Sequence, residues 1–435
     1  MAASPARVAA FTVLTSVEAG TDSSAAISRS DAELNLADRG LCREIVFGVL
    51  REQFLFNKAI AALTDRRQLD AAVAVILRMS LYQLWRLDRI PDHAVVSDAV
   101  DLTRRARLSS ASGFVNAVLR RAIREELKDE LLSPTDLPEE TSHPAWLIDK
   151  WARDLGEERA ASIARANNSR PAIAFRLTEF GLDHGSDADL EDQEIDAVAG
   201  IRDAYKASRW TRKIQELSER GSIYVQDIGS ILIADSLAVG EGSSVLDVCG
   251  SPGGKISRIA AIAKRKGLNA QLITGDVSPD RIKTLRDLLL RQGSDRIGIV
   301  RYNAERALPF AGHLFSSVLV DAPCTGTGTI KHNPEIRYRV TNESIRLHSD
   351  KQLRILESAS KCVAEDGELI YSTCSLEPEE NEQVIARFME KNAGFGLRVP
   401  VLPKRFITSE GFARSFPDDG DMDGYFVSRL VRVSS

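Results

Sequence analysis

Cysteines and long apolar segments are scarce in this sequence. Its 435 residues include five cysteines, an odd and sparse number that argues against a disulfide framework and favours a reducing compartment. No apolar run approaches the roughly 18 to 20 residues that a membrane-spanning helix needs. Residues 1–20 carry a helical apolar stripe, whereas a signal peptide has a continuous apolar core. We therefore predict a cytoplasmic protein with no membrane partner.

The sequence also lacks a strong excess of charge of either sign. The 57 basic and 62 acidic side chains leave a net charge of -5, which excludes a histone-like polybasic binder. A local basic face can still contact phosphates, so this balance does not exclude nucleic acid as a partner. The composition, 43% hydrophobic and 27% charged, is typical of a soluble globular protein. At about 150 residues per domain, the length predicts two or three domains.

Helical patterns fill residues 1–130. Apolar side chains recur there at helical spacing, for example at Val73, Ile76 and Leu77. The basic residues of this region cluster in two stretches, which are either solvated helix faces or a surface that contacts RNA. The two stretches contain Arg104, Arg105, Arg107, Arg120, Arg121 and Arg124.

Three further segments follow along the chain. Residues 131–165 combine a proline-containing acidic connection with a helical pattern, which predicts a linker and a bridging helix. Residues 166–235 fit a small α+β unit. In residues 236–435 strands alternate with helices, which predicts a doubly wound, mostly parallel sheet with ligand sites at the carboxyl ends of its strands.

A glycine-rich turn follows the first strand of that sheet, in the segment 247–255. Gly253 and Gly254 permit a tight turn, and the helix after them offers free N–H groups. Neither the P-loop spacing nor the GxGxxG fingerprint is present, so this is either a nucleotide-binding turn or a purely structural one. Asp276 ends the next strand, where a carboxylate can bind ribose hydroxyls or cap the following helix.

Two cysteines follow neighbouring strands in polar turns. Cys324 lies in the run Asp-Ala-Pro-Cys-Thr-Gly-Thr-Gly, and Cys374 lies in the run Tyr-Ser-Thr-Cys-Ser. A single free cysteine is more often a small buried hydrophobe than a reactive group, but a pair at adjacent strand ends favours thiolate chemistry. The spacings lack a CxxC motif and clustered histidines, so we predict no metal site.

Together these motifs resemble the signatures of the S-adenosylmethionine-dependent RNA 5-methylcytosine methyltransferases. The signature runs lie at residues 247–255, 321–328, 371–375 and 378–382. Outside them, other runs are similar to the bacterial Sun/Fmu/RsmB branch of these enzymes, so the resemblance covers nearly the whole chain. Those runs lie at residues 77–84, 90–96, 113–120, 224–230 and 423–430.

The resemblance implies a fold and a reaction. The fold is multidomain: an all-α NusB-like RNA-binding N-terminal domain, a small α+β RRM-like subdomain and an α/β Rossmann-like class I methyltransferase domain. The family methylates C5 of a cytosine in 16S rRNA, usually at position 967, with S-adenosylmethionine as cofactor. A tRNA substrate and a non-catalytic RNA-binding or ribosome-assembly protein are the alternatives, and we expect a monomer.

The resemblance also assigns roles to four residues. Cys374 is the nucleophile that adds to C6, and Cys324 assists removal of the C5 proton and release of the enzyme. Asp321 holds the edge of the base, and Lys255 lies near the base or the methyl donor.

The cofactor is expected across the strand ends. By resemblance its binding residues are Cys249, Gly250, Ser251, Pro252, Gly253, Gly254, Lys255, Asp276, Asn303 and Asp321. Gly250-Ser251 replaces the family's usual Ala-Ala, Ile256 replaces Thr, and Asn303 stands where an Asp normally accepts the adenine amino group. An Asn carbonyl can still accept that bond, so we expect weaker but not absent cofactor binding.

RNA contacts are expected from the helical domain and from basic residues after the Asp-Ala-Pro-Cys loop, with a solvated face as the alternative. These residues are Arg104, Arg105, Arg120, Lys331, Arg337, Arg339 and Arg346. Lys331-His332 and Tyr338 stand where Arg-Arg and Trp are common in the family. The departures are therefore larger in the RNA-contacting region than in the residues that carry the chemistry.

Overall fold

Amphipathic helices fill the first 169 residues, as their apolar spacing predicts. This computed structural model describes residues 3–31, 33–125, 128–190, 195–310, 312 and 314–433. The helices of the first stretch are α1 (Pro5–Glu18), α2 (Ser23–Asp31), α3 (Leu36–Arg51), α4 (Gln53–Leu63), α5 (Ala71–Arg86), α6 (Asp92–Arg105), α7 (Ser112–Arg124), α8 (Lys128–Leu131), α9 (Leu137–Thr141), α10 (Ala145–Leu155) and α11 (Glu157–Ala166). Side chains cap several of them: Asn35 accepts the Asp38 N–H, and Asp70 accepts the Ala72 N–H. The apolar faces of α1 to α8 form one core, which contains the fully buried Phe56.

The chain divides into two units, and the first of them is discontinuous in sequence. The first unit consists of residues 1–169 and 332–339, and the second consists of residues 170–331 and 340–435. The segment 131–165, predicted as a linker and a bridging helix, contains α9 and α10 and belongs to the first unit. The boundaries predicted for the four sequence segments stay predictions.

Arg337 ties the short segment 332–339 into the first unit. Its side chain is fully buried, and its guanidinium donates to the Thr141 carbonyl at 2.6 Å, the Asn168 carboxamide at 2.7 Å and the Asn167 carbonyl at 3.3 Å. Burial lowers the pKa of Arg337 to about 10. Arg337 is therefore a structural residue of the helical unit.

Replacing Arg337 by methionine is expected to destabilise the first unit. The substitution keeps much of the apolar stem but leaves buried carbonyl oxygens without donors, which costs about 3 kcal/mol in total. For a unit of this size that loss lowers the Tm by roughly 6 to 12 °C, measured by thermal unfolding of the full chain. Arg104→Met is the matched control because the Arg104 side chain is 61% exposed; its Tm should stay near that of the wild type. Equal shifts in the two variants would contradict the structural role of Arg337.

Strands and helices alternate after residue 170. The elements are β1 (Ile173–Leu177), α12 (Glu179–Asp183), β2 (Ile195–Ala197), β3 (Ala204–Ala207), α13 (Arg212–Glu219), β4 (Ile223–Val225), α14 (Ile228–Asp235), β5 (Ser244–Asp247), α15 (Gly254–Arg265), β6 (Gln271–Asp276), α16 (Pro279–Arg291), β7 (Gly298–Arg301), β8 (Phe315–Asp321), α17 (Ile336–Arg339), α18 (Asn342–Ser360), β9 (Val363–Thr373), α19 (Glu382–Lys391), β10 (Phe395–Arg398), β11 (Ala413–Ser415) and β12 (Tyr425–Arg432). Short 3-10 turns lie at Ser109–Ala111, Ala188–Leu190, Thr327–Thr329, Pro378–Glu380 and Lys404–Phe406. None of the helices in the described ranges is long and apolar enough to cross a bilayer.

The smaller sheet of the second unit is antiparallel and has the strand order β2-β3-β1-β4. Helix α13 packs beside it, and Phe175, Ile214 and Ile223 belong to its own apolar cluster. This arrangement confirms the small α+β unit that the sequence predicts.

The larger sheet positions every strand-end motif at one edge. Its order is β10-β12-β9-β8-β5-β6-β7, with β11 paired to β12. The five strands from β9 to β7 are parallel, and β10, β11 and β12 are antiparallel additions at the other side. The predicted mostly parallel sheet is therefore confirmed. Because parallel strands end at a common edge, Asp247, Asp276 and Asp321 all lie at that edge.

Candidate active site

An ion pair between Lys255 and Asp321 lies at the carboxyl ends of the central strands. Asp321 ends β8, and Lys255 lies in the first turn of α15 after the glycine turn. The Lys255 ammonium donates to Asp321 Oδ2 at 2.6 Å. Ser372, which faces Asp321 in the β8–β9 register, donates its hydroxyl to Asp321 Oδ1 at 2.8 Å. The Asp321 side chain is still 30% exposed, so a bound molecule can reach it.

The charges around Lys255 keep it protonated. Burial by itself lowers the pKa of an ammonium, but the charge of Asp321 and its hydrogen bond outweigh burial and raise the pKa of Lys255 above its ordinary value. Asp247 and Cys374 contribute in the same direction. Lys255 is therefore a fixed positive charge that faces both the carboxylate and the region of the Cys374 sulfur.

The two predicted cysteines meet at this edge. The Sγ atoms of Cys324 and Cys374 lie 3.3 Å apart, and both residues are half-buried. The hydrogen bond to Cys374 and burial raise the pKa of the Cys324 thiol well above its ordinary value. Cys324 is therefore held as a neutral thiol beside the second sulfur.

The other three cysteines lie away from this pair. Cys42 and Cys362 are buried in apolar clusters of the first and second units. Cys249 lies in the glycine turn, where burial raises the pKa of its thiol above the ordinary value. The structure thus separates the pair at the strand ends from the remaining cysteines.

A buried glutamate organises both cysteine loops. Glu380 is fully buried; its carboxylate accepts the Thr325 N–H at 2.9 Å, the Gln352 amide at 2.9 Å and the Ser375 hydroxyl. Gln352 also donates to the Pro323 carbonyl at 3.0 Å. One carboxylate therefore holds the residues that follow Cys324 and Cys374. The sequence offers a signal only in the Pro-Glu-Glu-Asn-Glu run, to which no role could be given from the pattern.

Close backbone contacts also fix these loops. The Gly328 N–H donates to the Cys374 carbonyl at 2.9 Å, and the Gly424 N–H donates to the Gly328 carbonyl at 2.8 Å. A Cβ atom at Gly328 would come within 2.2 Å of the Gly424 carbonyl oxygen and 2.9 Å of the Cys374 carbonyl oxygen. Glycine is therefore required at 328 for the two loops to approach each other.

The glycine turn leads directly into α15. Gly253 has a φ of +117° and precedes the first residue of the helix, so the turn uses a conformation that favours glycine. The turn adjoins β6, because the Gly250 N–H donates to the Gly275 carbonyl at 3.1 Å. A Cβ atom at Gly250 would lie 1.8 Å from Thr274 Oγ1 and 3.1 Å from Asp247 Oδ2. This contact gives a physical reason for a glycine at position 250.

A Gly250→Ala variant is therefore expected to be less stable than the wild type, by about 1 to 3 kcal/mol. Thr274→Ala in the same chain removes the obstructing oxygen, so the double variant should recover most of the loss. Urea unfolding measures the stabilities of the single and the double variant. Gly240→Ala is the control, because its Cβ would meet only Ser243 Oγ at 3.7 Å. If Gly250→Ala alone kept wild-type stability, the crowding at this turn would not be real.

Two polar atoms beside the turn are buried without a partner among the described residues. They are Asp247 Oδ1 and Thr274 Oγ1. Burial and the charge of Asp321 raise the pKa of Asp247 to about 7. Buried polar groups are normally paired, so each of these two atoms has unused hydrogen-bonding capacity beside the turn.

Asp276 ends β6, and Asn303 lies two residues after the end of β7. Asp276 is buried, accepts the Ser278 N–H at 3.0 Å and pairs with Arg281 at 3.2 Å. Asn303 is exposed and follows Tyr302, whose hydroxyl donates to the Val248 carbonyl at 3.1 Å. Its own side-chain oxygen accepts the Glu305 N–H at 3.0 Å. The ribose and adenine roles of the two residues stay predictions.

The expected RNA-contacting residues divide by exposure. Arg337 does not fit that role, because it is fully buried and its guanidinium is used by carbonyl and carboxamide oxygens of its own unit. Lys331 is also buried, and Arg339 donates to the carbonyls of Val17 and Thr21. The side chains that remain exposed are those of Arg104, Arg105, Arg120 and Arg346. RNA contact by these four stays a prediction.

Three family models match the chain. The model described as 16S rRNA methyltransferase RsmB/F matches residues 234–431, the NusB family model matches residues 4–124, and a ferredoxin-like domain model of RsmF/B-like methyltransferases matches residues 143–200. These matches agree with the NusB-like, small α+β and Rossmann-like parts expected from the sequence, and confirm that fold class.

Similar proteins cover nearly the full length. The chain is 31% identical to the probable ribosomal RNA small subunit methyltransferase B of Bacillus subtilis strain 168, over 92% of this chain and 91% of that protein. The solved structure of PH0851 covers 99% of both chains with a TM-score of 0.82 at 24% identity. That of NSun6 from Pyrococcus horikoshii with SFG covers 67% of this chain and 99% of that one, with a TM-score of 0.58 at 17% identity. At these identities the two structures establish likeness of fold.

Proposed function

Because the chain belongs to the RsmB/F family of 16S rRNA methyltransferases, we propose that it transfers a methyl group from S-adenosylmethionine to C5 of a cytosine in 16S rRNA through a covalent bond between a cysteine and C6. The observation that carries this proposal is the pair of sulfurs of Cys324 and Cys374, 3.3 Å apart, at the sheet edge that holds the Lys255–Asp321 ion pair. Two sulfurs, a carboxylate and an ammonium are the groups that this reaction needs.

Cys374 is the proposed nucleophile. C5 of cytosine is a poor nucleophile because the ring is aromatic, and addition of a thiolate to C6 makes C5 electron-rich. Cys374 directly follows β9 and is half-buried. A cytosine that leaves its stack can therefore reach the sulfur, and unstacking costs least in a loop or an unpaired segment of RNA.

Asp321 is proposed to hold the base. A carboxylate accepts a hydrogen bond from the cytosine N4 amino group, a pairing that bases and acidic side chains commonly form. Lys255 and Ser372 orient the two oxygens of Asp321 from opposite sides.

Cys324 is proposed to assist the last step. The hydrogen bond to Cys374 is the largest cause of the raised pKa of Cys324, and the Cys374 sulfur is bonded to C6 at this stage. Cys324 can then lose its own proton to solvent, and its thiolate can take the C5 proton. As that proton leaves, its electron pair restores the C5–C6 double bond and the bond between C6 and the sulfur of Cys374 breaks. The methylated base and the free thiolate of Cys374 are then released.

The residues of the glycine turn fit a polar cofactor. S-adenosylmethionine, when bound, supplies an electrophilic methyl group. The backbone of residues 249–255 and the N-terminus of α15 are proposed to bind it, with Asp276 at the ribose hydroxyls and Asn303 at the adenine. The unpartnered buried oxygens of Asp247 and Thr274 support a polar occupant at this turn.

Bisulfite sequencing of rRNA and tRNA tests the proposal. One cytosine of 16S rRNA should lose its methyl mark in cells without the gene. The mark should return with the wild-type gene and not with one that encodes Cys374→Ser. Loss of a mark only in tRNA would mean that the reaction is the proposed one but that the substrate is a tRNA. No lost mark in either RNA would contradict an active methyltransferase and favour a non-catalytic RNA-binding protein.

A further inference from the structure

A buried arginine of the smaller sheet reaches the start of α15. Arg176 lies on β1, and its side chain is fully buried. One guanidinium nitrogen donates to the Gly254 carbonyl at 2.9 Å and to the Ser257 hydroxyl at 2.7 Å. Its Nε donates to the Gln226 carboxamide at 2.7 Å. The smaller sheet is therefore bonded directly to the first turn of the helix that carries the catalytic lysine.

Arg176 has no carboxylate within ion-pair distance among the described residues, since its hydrogen bonds go to carbonyl, hydroxyl and amide oxygens. Burial and the nearby charge of Arg258 lower the pKa of Arg176 to about 9. A buried cation without a counter-charge is costly. An apolar side chain would leave the buried Leu177 and Gly254 carbonyls without this donor, so the guanidinium is held in place by the backbone and hydroxyl oxygens that it bonds.

Tyr224 completes the contact between the smaller sheet and the glycine turn. The central carbon of the Arg176 guanidinium lies over the Tyr224 ring, 5.4 Å from the ring centroid. A Cβ atom at Gly254 would come within 2.9 Å of the Tyr224 ring. The Tyr224 ring therefore packs closely against Gly254 and leaves no room for a side chain there.

The residue after Gly254 is Lys255, which bonds Asp321 at 2.6 Å. We propose that Arg176 is a positioning residue of the methyl-transfer site, which fixes the first turn of α15 and so holds Lys255 against Asp321. The smaller sheet then serves the chemistry of the site. This inference rests on the proposed function.

Arg176→Met tests the proposal in the full-length protein. Misplacement of a catalytic group by about 1 Å costs on the order of 10²-fold in rate. We therefore expect kcat to fall by that order while the KM for RNA stays unchanged and the affinity for S-adenosylhomocysteine falls. Arg212→Met is the matched control, since the Arg212 side chain lies in the same small subdomain and is 85% exposed; it should behave as the wild type.

Two milder variants keep the test decisive if Arg176→Met does not fold. Arg176→Lys keeps the charge and one donor, and Ser257→Ala removes one acceptor of the guanidinium without burying a new charge. Both should lower kcat by less than Arg176→Met does, at unchanged RNA KM. Folded variants with wild-type kcat and cofactor affinity would overturn the inference, as would a loss confined to RNA binding. If the wild-type protein itself showed no methyl transfer, that result would instead count against the proposed function.

Discussion

A Cys374→Ser variant is expected to show no measurable methyl transfer. A serine hydroxyl is far less ionised than a thiol at neutral pH, so it cannot add to C6 and C5 stays a poor nucleophile. Removal of a covalent nucleophile lowers kcat by roughly 10⁴-fold or more. The measurement is transfer of a labelled methyl group from S-adenosylmethionine to a 16S rRNA transcript.

The same substitution at a packing cysteine is the control for this variant. Cys362 is buried in the second unit, 3% exposed, within an apolar cluster. Cys362→Ser should lower the Tm, because it buries a hydroxyl at a cost of about 1 to 3 kcal/mol, and should keep the wild-type kcat. Wild-type turnover by Cys374→Ser would remove Cys374 from the role of nucleophile.

A Cys324→Ser variant is expected to accumulate a covalent complex with RNA. Cys374 can still add to C6 and C5 can still accept the methyl group, but the sulfur that assists loss of the C5 proton is missing. The bond between C6 and Cys374 therefore persists. The complex should appear as a denaturant-resistant shift of the protein band after incubation with RNA and S-adenosylmethionine.

The double variant Cys324→Ser/Cys374→Ser separates this adduct from tight non-covalent binding. It should give no shifted band under denaturing conditions, and protease treatment should abolish the band of the single variant. A shifted band from Cys374→Ser and none from Cys324→Ser would reverse the roles of the two cysteines.

The parallel strands and the helices between them could be predicted from the sequence, because residues next to each boundary determine where the element begins or ends. The strand that the sequence predicts to end at Asp276 is β6, which ends at that residue, and α16 begins at Pro279. Pro279 is the first residue of that helix, and the Ser278 hydroxyl accepts the Arg281 N–H. A proline and a cap at a helix start are signals that a single sequence contains.

The short antiparallel strands could not be predicted in the same way. β2 has three residues, none of them buried, and β11 also has three. Strands of this length are stabilised by pairing with a neighbour, and pattern alone does not distinguish them from loops. The antiparallel side of the larger sheet therefore emerged only from the structure.

The sequence also does not predict the role of a side chain whose bonding partners lie far away along the chain. Arg337 resembles a surface cation in sequence, yet its closest acceptor, the Thr141 carbonyl, lies 196 residues earlier in the chain. Glu380 lies in an acidic run that resembles a solvated segment, yet it bonds both cysteine loops. The approach of Cys324 and Cys374 was predictable because the ends of parallel strands converge, whereas Arg337 and Glu380 find their partners only after folding.

The discontinuity of the first unit has a consequence for synthesis of the chain. Residues 332–339 belong to the helical unit but are translated after residues 170–331. At ~5–20 residues per second the ribosome needs roughly 10 to 30 s to make that intervening stretch. The hydrogen bonds from Arg337 to the carbonyls of Thr141 and Asn167 therefore cannot form until much of the methyltransferase sheet has been synthesised. The helical domain, although first in the sequence, is completed late in translation.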